Sequence, residues 1–194
     1  KESNLLVDGD YLDFLDYLKK FNIPIDTYGT GKFKTVGHLF NEIKEGSEIT
    51  LRGPVGVFTL HEENYEKNLF LICTGTGIAP FRSMANYIKE QSIVHKDIYL
   101  LFGCRTKEDL LYFDELKALS DGMPNFHYIP TLSRENWEGA HGYVHDIYEK
   151  ICAANGNAPA SFFLCGWKAM IDEAKQRIQA LGYDRKSIHQ ELYG

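Results

Sequence analysis

Short apolar runs alternate with longer amphipathic stretches from residue 68 to the end of the chain. Apolar runs bounded by polar or glycine-containing segments predict strands, and apolar residues at helical spacing predict helices. The predicted strands are residues 69–73, 98–102, 126–131, 162–165 and 188–192. The predicted helices are residues 80–90, 107–119, 144–153 and 168–181.

This alternation predicts an α/β fold. Strands that are almost entirely apolar are typical of a parallel sheet that is covered by helices on both faces. We therefore expect a five-stranded, parallel, doubly wound sheet over residues 68–194. Sheets of this kind bind ligands beyond the carboxyl ends of their strands. The segments that follow the strands are therefore the candidate functional segments.

Residues 1–67 have a different pattern. Apolar residues at helical spacing follow Asp10 and end before Pro24, and a glycine-rich stretch and a second amphipathic piece come next. The polar segment 61–67 is the best candidate for a linker. We predict a partial domain over residues 1–67 and an α/β domain over residues 68–194, where no internal repeat interrupts the pattern.

Composition and charge exclude several classes of protein. The chain has 194 residues and a formal net charge of −6, which has the wrong sign for a nucleic-acid partner. No apolar run approaches the roughly 20 residues of a membrane-spanning helix, and the first residues lack a signal-peptide pattern. The four widely spaced cysteines are typical of reduced thiols, and the scattered histidines do not form a metal site. We expect a cytoplasmic protein without a transmembrane segment.

A glycine motif follows the first strand of the α/β domain. The run Thr74-Gly-Thr-Gly-Ile-Ala-Pro80 stands directly before a predicted helix. Glycines allow a tight turn, and the free N–H groups at a helix start favour a phosphate group. We interpret Gly75, Thr76, Gly77 and Pro80 as a cradle for a dinucleotide pyrophosphate. The alternative is a plain strand-to-helix turn, because the spacing differs from the usual GxGxxG pattern.

Three motifs follow one another along the chain. They are Gly53-Pro-Val-Gly56, Thr74-Gly-Thr-Gly-Ile-Ala-Pro-Phe-Arg-Ser83 and Cys165-Gly-Trp-Lys-Ala-Met170. Together they resemble the ferredoxin–NADP reductase family, particularly its plant-type branch, over about residues 48–193. In that family an N-terminal barrel holds FAD and a C-terminal α/β domain holds NADP(H). The resemblance implies hydride transfer between the nicotinamide and N5 of the flavin.

The resemblance also implies which residues bind NADP(H). Ser133 and Arg134 match a pair that holds the 2′-phosphate, Tyr143 matches a tyrosine that stacks on adenine, and Arg105 lies near a phosphate or ribose. An arginine fork suits a phosphate, so we expect NADP ahead of NAD, which stays an alternative because NADH-using relatives carry similar residues. The further cofactor-binding positions that it implies are Gly166, Lys168 and Met170.

Two histidines depart from the family pattern. His141 and His145 stand near Tyr143 where the plant-type pattern has a Lys and a Gln. A histidine is only partly charged near neutral pH, so we expect either histidine to be a weaker phosphate partner than Lys.

The resemblance implies three residues at the centre of hydride transfer. It places Cys165 beside the nicotinamide ring, Glu191 near the reacting centre and Tyr193 on the flavin face. Hydride transfer is the chemistry of the cofactors, and the protein supplies proximity and a shaped site.

The amino-terminal part departs more strongly from the family pattern. Residues 1–51 contain no arginine, so the Arg-x-Tyr-Ser/Thr motif for FAD is absent. The second FAD element falls on Gly37, with Thr35 as a displaced candidate. We expect residues 1–67 to be a remnant, or the C-terminal half, of the FAD-binding barrel. FAD is then expected in a full-length protein, and weakly or not at all in this chain.

Two functions follow from these expectations. The first is a flavin-dependent NAD(P)H reductase module that passes electrons to a ferredoxin, a flavodoxin, a haem domain or an iron–sulfur acceptor. The second is a non-catalytic NADP(H)-binding sensor or regulatory module that has lost its flavin. The presence of Cys165, Glu191 and Tyr193 favours the reductase, because a module that only binds a dinucleotide has little use for a flavin-stacking tyrosine.

Overall fold

The computed structural model describes residues 58–192. The chain divides into two units, and the described residues all belong to the second unit, which begins at Phe58. The candidates Thr35, Gly37 and Tyr193, and the helix expected after Asp10, lie outside the described residues.

A parallel sheet of six strands forms the centre of the described unit. The strands are β1 (Asn68–Thr74), β2 (Ile98–Cys104), β3 (Phe126–Leu132), β4 (Ala140–His141), β5 (Ala160–Gly166) and β6 (Ile188–Leu192). Their order is β4-β3-β2-β1-β5-β6, and every neighbouring pair is parallel. The chain runs outward from β1 to β4 and then returns to the other side of β1. The switch point between β1 and β5 is where such sheets bind ligands.

Helices cover both faces of this sheet. They are α1 (Glu62–Tyr65), α2 (Ile78–Glu90), α3 (Phe113–Gly122), α4 (Val144–Ala154) and α5 (Lys168–Ala180). Within residues 58–192, none of the helices has the length and apolar character that crossing a membrane requires.

Strand β1 is buried on both faces, as its apolar run predicts. Successive side chains of a strand point to opposite faces. Leu69 and Leu71 therefore join a core with residues of α2 and α3, whereas Phe70 and Ile72 join a core with residues of α4 and α5. All four side chains are at most 1% exposed. The doubly wound α/β fold predicted from the sequence is confirmed.

The predicted number of strands is wrong by one. The sixth strand, β4, has two residues, which pair in parallel with the end of β3: Ala140 with Thr131, and His141 with Leu132. Two residues are too few to produce a readable alternation of apolar and polar positions. Strand β4 brings the segment before Tyr143 to the carboxyl end of β3.

The helix predicted over residues 107–119 is also corrected. Residues Lys107–Asp109 form a 3₁₀ turn, and α3 begins only at Phe113. The backbone N–H and the hydroxyl of Thr106 both donate to Oδ2 of Asp109 at 3.0 Å, which is a local alternative to helical bonding. Tyr112 has a φ of 56°, a left-handed conformation that interrupts a helix.

The polar segment 61–67 packs against the sheet. It contains α1, whose Asn64 is 2% exposed and donates from Nδ2 to Oγ of Ser161 on β5 at 3.3 Å. The ring of Phe58, just before it, lies 5.3 Å from the ring of Phe163. The segment is therefore part of this unit and not the linker that its polarity favours.

Candidate functional site

The parallel sheet gathers most of the predicted site residues at one edge. The six parallel strands end there, at Thr74, Cys104, Leu132, His141, Gly166 and Leu192. Because the strands are parallel, the segments that follow them are neighbours at the carboxyl edge. The predicted residues at or next to this edge are Gly75, Thr76, Gly77, Arg105, Ser133, Arg134, Tyr143, Cys165, Gly166, Lys168 and Glu191.

The glycine motif forms one tight turn before a long helix. Residues Gly75–Gly77 are a 3₁₀ helix that leads directly into the 13 residues of α2. Gly75 has a φ of 56°, which glycine adopts without strain. The first N–H groups of a helix lack partners within the helix and carry a partial positive charge. The exposed Thr76 leaves this end open to an anionic ligand.

Two glycines let the segments after β1 and β5 approach each other closely. A Cβ atom on Gly77 would lie 2.4 Å from the carbonyl oxygen of Cys165. A Cβ atom on Gly166 would lie 2.4 Å from Oγ1 of Thr74, and Gly166 also has a φ of 143°. Both distances are far below van der Waals contact. At Gly77 the neighbouring atom is backbone, so a larger residue forces the two segments apart, whereas at Gly166 the backbone atoms of Thr74 are at 3.1 Å and the positive φ adds strain. Backbone packing therefore fixes this end of the site.

Trp167 is a residue of this edge that the motifs alone do not single out. Its backbone N–H donates to Oγ1 of Thr74 at 3.5 Å, and its side chain is 67% exposed. The indole Nε1 lies 3.9 Å from the position of a Cβ atom on Gly75, so the indole stands beside the glycine turn. The signal in the sequence that could have identified it is an aromatic residue just after an apolar, strand-like run, at the edge where such sheets bind ligands.

Cys165 and Glu191 lie opposite each other in the register of β5 and β6. They differ in exposure, because Cys165 is fully buried and Glu191 is exposed. Cys165 belongs to the apolar core on the α2 side, next to Cys73 of β1. Burial raises the pKa of the Cys73 thiol well above its usual range, so that thiol is protonated near neutral pH. Cys165 forms part of the packed floor beneath the edge.

The segments after β2 and β3 extend the pairing of these strands beyond the sheet. The N–H and the hydroxyl of Ser133 donate to the carbonyl oxygen of Cys104, at 3.0 and 3.2 Å. The N–H of Arg134 donates to the carbonyl oxygen of Arg105 at 3.0 Å. Both arginines are exposed. The chain thus presents two guanidinium groups on adjacent backbone segments at one end of the edge.

Tyr143 and His145 face different surroundings although they are two residues apart. Tyr143 is 69% exposed at the start of α4, whereas His145 is 5% exposed. Nδ1 of His145 lies 3.1 Å from the hydroxyl of Tyr148, and its Nε2 lies 3.6 Å from Oε2 of Glu173. Burial lowers the pKa of His145, so this ring is neutral near pH 7. This burial agrees with the expectation that His145 is a weaker phosphate partner than a lysine, which stays a prediction. His141 is exposed on β4.

Three other predicted positions have structural contacts. Pro80 is buried in the first turn of α2, where proline needs no N–H partner. Lys168 is exposed and forms an ion pair with Asp172 on the next turn of α5. Met170 packs against the apolar core under α4 and α5. Of these three, only Lys168 presents its polar group to solvent near the edge.

A second depression lies away from this edge, between α4 and α5. Its central cation, Arg177, is surrounded by three carboxylates, with closest distances of 3.6 Å to Asp146, 3.2 Å to Glu149 and 2.8 Å to Glu173. The positive charge is therefore already compensated. This groove is unsuited to an anionic ligand such as a dinucleotide.

Comparisons with known proteins agree with the motifs. The family model described as the oxidoreductase NAD-binding domain matches residues 71–176. Ferredoxin–NADP reductase B of Sorangium cellulosum is 34% identical over 161 residues, which cover 79% of this chain and 65% of that protein. The xylene/toluene monooxygenase electron transfer component of Pseudomonas putida is 32% identical over 162 residues, which cover 81% of this chain and 45% of that protein. The chain thus spans less than two thirds of each relative.

The fold is also found among solved structures. A ferredoxin NADP⁺ reductase from Neisseria gonorrhoeae with bound FAD and NADP matches with a TM-score of 0.63 and 22% identity, over 82% of this chain and 70% of that one. The resemblance to ferredoxin–NADP reductases is confirmed. Because the family model covers more than half of its residues, the chain belongs to the oxidoreductase NAD-binding domain family, of the ferredoxin–NADP reductase type.

Proposed function

We propose that this chain is the dinucleotide-binding part of a flavin-dependent NAD(P)H oxidoreductase. The observation that carries the proposal is the arrangement at the carboxyl edge, where the glycine turn Gly75–Gly77 opens α2 at the switch point. The exposed ring of Trp167 stands at one end of this edge, and the arginines stand at the other. Such an edge suits an elongated ligand with central phosphates and a planar group.

The side chains at this edge fit the chemistry of NADP(H). The N–H groups of the glycine turn Gly75–Gly77, which opens the helical stretch before α2, bind the pyrophosphate, and Arg134 binds the 2′-phosphate through its planar fork. The exposed ring of Tyr143 stacks on the adenine. The proposed cofactor-binding residues are Gly75, Thr76, Gly77, Arg105, Ser133, Arg134, Tyr143, Gly166 and Lys168.

The segment after β5 is the proposed nicotinamide end. When bound, the nicotinamide supplies a hydride that passes to a flavin. The buried Cys165 forms the floor beneath it, Trp167 covers its side, and Glu191 stands at the end of the neighbouring strand. These residues orient the ring and limit the access of water.

The flavin and the electron acceptor complete the proposed function. FAD is bound in the full-length protein, with Thr35 and Gly37 near its pyrophosphate and Tyr193 on its face. The acceptor is a ferredoxin, a flavodoxin, a haem domain or an iron–sulfur domain. The names of the two relatives, a reductase and an electron transfer component, support this function over a non-catalytic sensor.

Calorimetric titration with NADPH tests the proposal. We expect one saturable site in the 194-residue chain, and about fivefold weaker binding after Trp167→Ala, because an aromatic contact contributes about 1 kcal/mol. Val94→Ala is the matched control, since Val94 is also exposed and apolar, at 92%, but precedes β2 at the opposite edge. Absence of saturable binding to the unaltered chain, or equal effects of both substitutions, contradicts the proposal.

A further inference from the structure

A carboxylate clasp, formed by Lys107, Glu135 and Glu138, joins the segments that follow β2 and β3. The backbone N–H of Lys107 donates to Oε2 of Glu135 at 2.8 Å. The Nζ atom of Lys107 lies 3.2 Å from Oε1 of Glu138. Residues 107 and 135 are 28 positions apart in sequence, so these bonds tie together two separate loops.

The two arginines of the edge lie between the sheet and this clasp. On the sheet side, the N–H groups of Ser133 and Arg134 donate to the carbonyl oxygens of Cys104 and Arg105. On the outer side, Glu135 holds the backbone N–H of Lys107. Both backbone segments are therefore fixed before and after their arginine. Within residues 58–192, no carboxylate lies within ion-pair distance of either guanidinium group.

Arg105 and Arg134 carry like charges on adjacent segments, and like charges disfavour the close approach of their side chains. A phosphate monoester compensates both charges only when the two groups converge on it. A restraint that keeps the segments together before the ligand arrives reduces the entropy lost on binding. The Glu135 carboxylate supplies such a restraint, because it accepts from the backbone N–H of Lys107 and so holds the main chain of that segment directly.

We propose that Glu135 is a positioning residue for the 2′-phosphate of NADP(H), because its bond to the Lys107 backbone keeps Arg105 and Arg134 directed at one phosphate. This inference rests on the proposed function, since it requires that a nicotinamide dinucleotide binds at the carboxyl edge. It identifies Glu135 as a determinant of selectivity between NADP(H) and NAD(H).

The proposal predicts that removal of the Glu135 carboxylate weakens the binding of NADP⁺, whereas the charge of this carboxylate alone predicts the opposite. A carboxylate next to Arg134 repels a phosphate, so removal of its charge alone tightens binding of NADP⁺. Loss of the positioning bond weakens binding of NADP⁺ and leaves NAD⁺ unaffected, because NAD⁺ lacks the 2′-phosphate. The ratio of the two dissociation constants therefore separates the two effects.

Calorimetry with NADP⁺ and NAD⁺ on the 194-residue chain tests the inference. For Glu135→Ala we expect the dissociation constant of NADP⁺ to rise about five- to tenfold, with that of NAD⁺ within about twofold of the unaltered chain. Glu135→Gln keeps an acceptor for the Lys107 N–H, so we expect it to retain NADP⁺ binding. Glu135→Asp keeps the charge but has a shorter reach, so we expect it to lose most of the selectivity. Glu108→Ala is the control, because it removes an exposed carboxylate from the same loop and leaves the three residues of the clasp in place.

Several results of these titrations would overturn the inference. Unchanged or tighter binding of NADP⁺ to Glu135→Ala overturns the inference, as does equal weakening of NADP⁺ and NAD⁺. Loss of binding in Glu135→Gln overturns it too, because the charge and not the acceptor is then required. If the unaltered chain binds both dinucleotides equally, the inference is wrong and the proposed dinucleotide site stands. If it binds neither, the proposed function itself is contradicted.

Discussion

The two ends of the candidate site are built in different ways. Where β1 and β5 end, the backbones of Gly77 and Gly166 lie so close to their neighbours that a Cβ atom would stand 2.4 Å from an oxygen. Where β2 and β3 end, exposed side chains of Arg105 and Arg134 stand on loops joined by the carboxylate clasp. The first end shares its packing with the core, whereas the second is separate from the core. Substitutions should therefore affect stability and binding together at the first end, and selectivity alone at the second.

The largest effect is expected at Gly77. In Gly77→Ala the new Cβ atom collides with the backbone carbonyl of Cys165, at 2.4 Å from oxygen and 2.7 Å from carbon. A backbone group cannot rotate away, so we expect a loss of about 2–4 kcal/mol in the free energy of unfolding, measured by urea denaturation. The same substitution at Gly122, where a Cβ atom meets nothing within 4 Å, should leave stability unchanged or raise it by up to about 1 kcal/mol.

A smaller effect that is confined to binding is expected at Arg134. Arg134→Ala removes a charged hydrogen bond to the 2′-phosphate and should weaken NADPH binding by about 1.5–3 kcal/mol, with little change for NADH. Stability should stay unchanged, because the side chain is exposed. Arg185→Ala, at an exposed position of the turn before β6, is the matched control. An equal loss of NADPH and NADH affinity would show that Arg134 does not recognise the 2′-phosphate.

The smallest effect concerns His145, which lies near the second end of the site but belongs to the core. Burial holds its pKa in the folded chain below the ordinary value of about 6.5, so the unfolded chain binds more protons as the pH falls. The contribution of His145 to the free energy of unfolding is therefore fully present above about pH 6.5, and it is lost as the pH falls below that value. We expect His145→Gln to reduce the loss of unfolding free energy between pH 7.5 and pH 5.5, measured by urea denaturation at the two pH values.

The same pair of proteins also tests whether His145 contacts the ligand. NADPH affinity between pH 6 and pH 8 should have the same pH dependence in the unaltered chain and in His145→Gln. A rise in affinity at low pH that disappears in the variant would mean that the protonated ring binds a phosphate. His189, whose pKa is also lowered by burial, contributes to the stability curves of both proteins and so cancels in the comparison.

The sequence predicts the strands well because burial on both faces leaves a simple signal. Strand β1 is an unbroken apolar run, and its position follows from that run alone. The start of α3 does not follow from the apolar pattern, because the bonds between Thr106 and Asp109 and the left-handed Tyr112 interrupt a helical spacing. Local hydrogen bonds compete with helix formation without changing the hydrophobic pattern.

The positions of some site residues likewise follow from the local sequence, whereas the positions of others depend on contacts between distant segments. The glycine motif is local in sequence, so its place between β1 and α2 follows directly from the strand and helix that flank it. The burial of His145 depends on which side of α4 faces the sheet, and its spacing from Tyr143 alone does not decide this. The bond between Lys107 and Glu135 joins distant segments, and only the register of β2 and β3 brings them together.

NMR mapping of bound NADPH on the amide resonances of this chain tests the central claim most directly. The largest shifts are expected for Gly75, Thr76 and Gly77, with further shifts at Arg134 and Trp167 at the two ends of the carboxyl edge. NADH should shift the glycine turn but have a smaller effect on Arg134. Shifts confined to the groove between α4 and α5, or no saturable shifts at all, would contradict a dinucleotide site at this edge.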